Sequence, residues 1–244
     1  MFTRIKAIPG LILLLVLTSL ACTIPGRGSS GPAPTPTPMG DTLSFNIPAY
    51  AYNLEPGGSV PGTHLEYIGR SEGAYNVRID GFEAIKRSGD SFFWSGVIQP
   101  GVYGNYNLRI TTAVFGGLPV PGSVEIIVFY PEPVQRDTIP TVDQSLLSFT
   151  ALVVDYTVPE GYQIPGTALV FDGIITQGEG DGATQLAQLS GLTGYPYLAR
   201  GDSLVWIGNL RDNVVVRYNL RASALNEDGL RLDGTADLWV LPKQ

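Results

Sequence analysis

The chain has 244 residues, with 15 Lys and Arg against 22 Asp and Glu, a formal charge of −7, one cysteine and one histidine. An acidic chain lacks the basic footprint that holds phosphate backbones, so nucleic acid is not expected as a partner. One cysteine excludes an internal disulfide, and one cysteine with one histidine leaves a tetrahedral zinc site short of ligands, so packed apolar cores must supply stability and no cofactor or metal is expected.

In chain order, residues 1–21 have the layout of a signal peptide: basic Arg4 and Lys6, an apolar run from Leu11 to Leu17, and small residues ending at Ala21. The apolar run is too short for a membrane-spanning helix, which needs about 20 residues. The segment Thr18, Ser19, Leu20, Ala21, Cys22 resembles the lipobox of bacterial lipoproteins, although that family carries a branched aliphatic residue where this chain has Ser19. The resemblance implies a diacylglyceryl group on Cys22, cleavage before it, and export to the cell membrane or outer membrane with the body facing the periplasm or exterior. Each buried methylene of such an anchor contributes about 0.8 kcal/mol. Residues 22–41 are rich in Pro, Gly, Ser and Thr, including GPAPTPTP at 31–38, and read as a disordered tether of extended polyproline character.

Residues 42–130 read as a first β-sandwich module. Tyr106, Leu108, Ile110 and Thr112 alternate with Asn107, Arg109 and Thr111, and Val124 to Phe129 is rich in β-branched and aromatic residues. Residues 131–145, with Pro133 and Pro140, read as a semi-stiff spacer. Residues 146–244 read as a second module, in which Val214, Val216, Tyr218, Leu220 and Ala222 alternate with Val215, Arg217, Asn219 and Arg221. Only Ala183 to Leu192, with Leu186 and Leu189 three apart, approaches a helical pattern, and a helical turn is expected there.

The two modules repeat one another. With a shift of 104, Leu43, Phe45, Tyr52, Gly57, Pro61, Gly62, Thr63, Leu65 and Gly69 recur as Leu147, Phe149, Tyr156, Gly161, Pro165, Gly166, Thr167, Leu169 and Gly173. With a shift of 112, Gly89, Asp90, Ser91, Trp94, Gly96 and Tyr106 to Arg109 recur as Gly201, Asp202, Ser203, Trp206, Gly208 and Tyr218 to Arg221. Short strands without helices must pack sheet on sheet, so the expected fold is all-β: two tandem immunoglobulin-like antiparallel β-sandwich modules.

The run Gly89 to Gly96, the Pro100–Gly101 turn and the strand at Tyr106, with Val60 to Thr63 and Ile164 to Thr167 upstream, resemble the DUF11-type repeat domains of bacterial surface proteins. Asp212 and Asn213 stand where the second module would carry the Pro-Gly turn. The resemblance implies structural or adhesive display at the cell surface and brings no catalytic residues with it.

Residues able to carry chemistry are scattered. His64 aligns with Ala168 and has no nucleophile-elbow context, so it reads as an ordinary strand or surface residue. Asp155, Glu160, Asp172, Glu66 and Glu83 could offer paired carboxylates, but none is shared between modules. Glu179 and Asp181, alternating with glycines in a second-module insertion, are a candidate calcium loop. Trp94 and Trp206 recur and read as core. Tyr195 and Tyr197 flank Pro196, and Trp239 aligns with Ile127 while pointing opposite to Leu238 and Val240, so these three form the candidate ligand or partner surface. The sequence thus points to a non-enzymatic, lipid-anchored envelope protein whose modules serve structural or protein-interaction roles. Glycan or peptide binding through the insertion aromatics is the alternative.

Overall fold

Apolar and polar alternation becomes strand throughout the computed structural model, which describes residues 40–113, 116–141 and 144–242. The signal-like segment, Cys22, the tether through residue 39, Lys243 and the side chain of Asp181 lie outside the described residues. The first strand set is β1 (Thr42–Leu54), β2 (Leu65–Ser71), β3 (Ala74–Ile79), β4 (Phe82–Lys86), β5 (Ser91–Gln99), β6 (Val102–Arg109) and β7 (Leu118–Phe129). A short β8 (Val134–Gln135) follows. The second set is β9 (Leu147–Val158), β10 (Val170–Gln177), β11 (Thr184–Ser190), β12 (Tyr197–Ala199), β13 (Ser203–Arg211), β14 (Val214–Asn226) and β15 (Gly229–Val240).

Each set forms two antiparallel sheets. The first gives β1-β7-β6-β5 and β2-β3-β4, and the second gives β8-β13-β14-β15-β9 and β10-β11-β12. An immunoglobulin sandwich pairs its second strand with its fifth and its third with its sixth. Here strands two to four pair only among themselves, so the fold is an antiparallel sandwich with a different pairing order. Turn chemistry is the reason. Glu72 and Gly73 (φ 51° and 82°) and Asp80 and Gly81 (φ 50° and 84°) make two-residue turns whose paired positive φ values match strand twist. Those turns force β2, β3 and β4 into a meander. The helical turn expected near 183–192 is instead β11, because pairing with β10 and β12 buries Leu186 and Leu189 on a sheet.

Most repeated residues occupy the same place in both copies. Phe45 and Phe149, Trp94 and Trp206, Tyr106 and Tyr218, Leu65 and Leu169 are all buried. Thr63 Oγ1 donates to Val60 O and accepts from Leu65 N, and Thr167 Oγ1 does the same with Ile164 O and Leu169 N. Asp90 and Asp202 accept the backbone N–H groups of Arg87 and Ala199. Arg109 and Arg221 donate to the carbonyls of Gly89 and Gly201. The repeat therefore encodes turn closures as well as core side chains.

The copies meet reciprocally. A Cβ on Gly62 would lie 2.9 Å from Leu147 Cδ1, and a Cβ on Gly166 would lie 2.8 Å from Leu43 Cδ2. Gly62 and Gly166 are repeat equivalents, as are Leu43 and Leu147, so each copy gives the other the same contact, the signature of a two-fold relation. Tyr50 packs on Phe149 with ring centroids 6.4 Å apart, and burial pushes its hydroxyl up to about 12. The β5–β6 and β13–β14 turns also touch, through Asn213 Nδ2 donating to Pro100 O, while Arg211 Nη1 donates to Phe129 O and Tyr130 O.

The segment expected as a spacer is bound to the second copy. Glu132 N donates to Leu210 O, β8 pairs with β13, and Arg136 N donates to Ile207 O. β8 and β9 lie at opposite edges of one sheet, joined by the chain between Arg136 and Leu146. The inner face holds Val214, Val216, Leu238 and Val240; on the outer face Val215 and Trp239 are 0% and 5% exposed, and Pro140 in the connecting chain is also buried. Four strand spacings are about 19 Å, within reach of such a segment.

This joint predicts a difference between two left-handed glycines. Gly62→Ala, whose Cβ would meet Leu147 first, combines backbone strain with overpacking across the joint and should lower stability by about 2–4 kcal/mol. Gly57→Ala, at φ 83° with open space around it, should lower it by about 1 kcal/mol. Equal urea midpoints for the two variants would contradict the contact.

Candidate functional site

The candidate surface residues separate. Tyr195 is 64% exposed on the loop joining β11 to β12, and its ring meets that of Tyr197 edge to face, with centroids 5.2 Å apart. The two rings lie at 70° to one another, so they form a ridge rather than a flat stacking platform. Trp239 does not join them. It pairs across from Val215 and Ser148 on the outer face of the five-stranded sheet and is buried. Trp239, set by periodicity opposite to Leu238 and Val240, is 5% exposed and so offers no open surface to a ligand.

The calcium loop and the carboxylates do not assemble into a centre. Glu179 is exposed beside a single 3-10 turn, Gly180–Gly182. Among the described residues no cluster of three or more His, Cys, Asp or Glu has metal-holding geometry. Glu66 and Glu83 both bind Arg78, at 2.8 and 3.4 Å. Asp155 binds Arg231 at 2.6 Å and raises the guanidinium pKa through that hydrogen bond. Asp172 accepts from Ser190 Oγ, while Glu160 lies against Gly173. Glu66, Glu83, Asp155 and Asp172 thus each have a local polar partner.

Two groupings were not anticipated. Asp237 is buried, accepts Ala151 N at 2.8 Å, and is clasped by Arg217 through Nε and Nη2. Ala151 holds a left-handed φ of 55° at the bulge where β9 passes Asp237, so the carboxylate offsets a strained backbone. The first copy has Glu125 and Asn105 in the equivalent places, joined by a hydrogen bond of 2.9 Å. The second grouping is His64, Asp80 and Trp94. Asp80 Oδ1 accepts Trp94 Nε1 at 2.8 Å and lies 3.4 Å from His64 Nδ1, while the His64 ring meets Trp94 edge to face. His64 therefore braces a core tryptophan.

The second copy replaces the Asp80–Gly81 turn with the longer β11–β12 loop. Trp206 Nε1 is consequently buried with no acceptor among the described residues. A buried unpaired donor costs about 1–3 kcal/mol. The insertion that exposes Tyr195 has removed the acceptor that its own tryptophan would use. A shallow, open depression of about 570 Å³ on the first copy is lined by Asn107, Arg109, Pro121, Ser123 and their neighbours, and no carboxylate or imidazole lines it.

No protein-family model, curated protein or solved structure matches the chain.

The two tryptophans give a paired prediction. Trp94→Phe removes a satisfied hydrogen bond, whereas Trp206→Phe removes an unsatisfied donor, so the first variant should be the less stable by about 1–2 kcal/mol. Chemical denaturation of both variants measures the difference, and the reverse order would contradict the assigned partners.

Proposed function

We propose that the chain is a non-enzymatic cell-envelope lipoprotein that holds a pair of joined β-sandwiches away from a membrane for structural or protein-interaction roles. The observation that carries this reading is the order of parts along the sequence: basic residues, a short apolar run and Cys22, then a proline-rich tether, then a β body. Support for a display role comes from the joint between the copies, since the linker is tied to β13 and Arg211 bonds two carbonyls of the first copy. Such a body transmits position from a tether better than two modules on a loose linker. Growth of a bacterial host with an alkyne-tagged fatty acid tests the anchor. The chain should take up label and Cys22→Ser should not; an unlabelled parent chain would refute the lipoprotein reading.

A second reading is favoured by the exposure of Tyr195 beside Tyr197. Aromatic edges on a loop can pack against a sugar ring or a peptide. Replacing both with Ala should abolish retention on immobilised envelope polysaccharide if that ridge is the site. Unchanged retention would place any glycan binding elsewhere.

A further inference from the structure

The three-stranded sheets of the two copies share a backbone plan and differ in charge on their outer faces. β2 and β10 carry the same bulge, between Tyr67 and Gly69 and between Phe171 and Gly173, so positions across the two sheets correspond residue by residue. In the first copy Arg78 faces Glu66 on one side and Glu83 on the other, and its guanidinium binds both carboxylates. That face carries its own cation. In the second copy Val170 stands at the Glu66 position and faces Ser190, so a hydroxyl replaces the guanidinium.

Carboxylates remain on the second face although the cation has gone. Asp172 takes the place of Ile68 and accepts Ser190 Oγ. Glu160 takes the place of Pro56, and a Cβ on Gly173 would lie 2.9 Å from Glu160 Cδ and 3.0 Å from its Oε1, so this carboxylate lies over Gly173. Residues directly opposite in antiparallel strands project to the same side. Gly173 faces Gln188, and Gln188 faces Tyr197. Leu189 N donating to Pro196 O carries that register on to Ser190 opposite Tyr195. Two rows result, one of Asp172, Ser190 and Tyr195 and one of Glu160, Gln188 and Tyr197. Carboxylates line one side and tyrosines the other, two strand spacings or about 10 Å apart. Among the described residues no Lys or Arg forms an ion pair with either carboxylate.

We propose that this face is a binding site for a guanidinium or ammonium group, the side chain of a peptide arginine or lysine, which takes the place that Arg78 holds in the first copy. The carboxylates accept its N–H groups in charge-assisted hydrogen bonds, and a tyrosine face attracts the cation through the ring quadrupole. The corresponding sheet already holds a contact of this kind, with Arg70 5.7 Å from the centre of the Tyr75 ring. The 70° angle between the Tyr195 and Tyr197 rings denies a sugar a flat platform, whereas a compact cation needs a single ring face. The inference deepens the peptide-binding alternative for the Tyr195 and Tyr197 ridge, on which it rests. Within this chain only Arg4, Lys6, Arg27 and Lys243 lie outside the described residues, so an internal source of the cation is confined to positions that can be substituted.

The test adds acetyl-Gly-Gly-Arg-Gly-Gly-amide to the full chain and follows the backbone amide NMR shifts of β10, β11 and β12, with a peptide carrying glutamine in place of the arginine as control. The arginine peptide should move those signals and the glutamine peptide should not. Glu160→Gln with Asp172→Asn, and separately Tyr195→Ala with Tyr197→Ala, should each weaken binding by about tenfold or more without shifting the unfolding midpoint. Ser190→Arg, which restores the cation of the first copy, should abolish binding. The double variant Arg27→Ala with Lys243→Ala assigns the source: unchanged affinity gives the site to another protein, and tighter binding gives it to a cation of this chain, the site standing in either case. Equal binding of the glutamine peptide, binding that survives loss of both carboxylates, or no shift at millimolar peptide in both the parent chain and that double variant would overturn the proposal. Polysaccharide retention that needs both tyrosines and neither carboxylate would uphold the ridge as a glycan site and overturn the cation site, so the two readings fail separately.

Discussion

The reciprocal seating of Leu43 against Gly166 and of Leu147 against Gly62 is the contact on which the arrangement of the body depends. A leucine at the start of the first strand of each copy fills the space that a side chain would take in the Pro-Gly segment of the other. Because the contact is made twice by equivalent residues, it fixes the copies about an approximate two-fold relation rather than as beads in a row. The hairpin turns at Pro100 and Asn213 then fall against each other, and Arg211 can reach Phe129 and Tyr130. The linker emerges beside β13 and has a short path to its edge.

From that seating follows the asymmetry of the molecule. Among the described residues one sheet gains β8 and the other has no strand beyond β5. On the second copy Val215 and Trp239 are buried on the side of a sheet that ordinarily meets water. Their counterparts in the first copy, Tyr103 and Ile127, remain partly exposed. Among the described residues a duplicated sequence thus presents two different surfaces. The difference at Trp206 has another origin: a longer β11–β12 loop replaces the turn that carries Asp80, and the indole loses its acceptor.

Much of the fold was legible because strand periodicity and turn residues are local signals. The alternation in 214–222 and the recurrence of Thr63 and Thr167, Asp90 and Asp202, Trp94 and Trp206 each mark a feature that the structure repeats. The pairing order was less accessible, although Glu72–Gly73 and Asp80–Gly81 are two-residue hairpin signals that specify a meander of β2, β3 and β4. Leu186 and Leu189 misled because a spacing of three suits a helix, yet both faces of β11 are partly buried and either can hold a leucine. Trp239 misled for a related reason: periodicity assigns a face to a side chain but does not say what covers that face.

The sequence by itself determined strands, turns, the duplicated core and the acidic, cysteine-poor character of the chain, since these depend on each residue's own shape and on neighbours a few positions away. Only the tertiary structure decided which sheet edge was capped, which outer face was covered, and which recurring glycines served as sockets for the opposite copy. Those outcomes join residues about a hundred positions apart, such as Gly62 with Leu147 and Leu43 with Gly166. No periodicity encodes them, because the same Pro-Gly segment can close a turn whether or not another leucine lies against it.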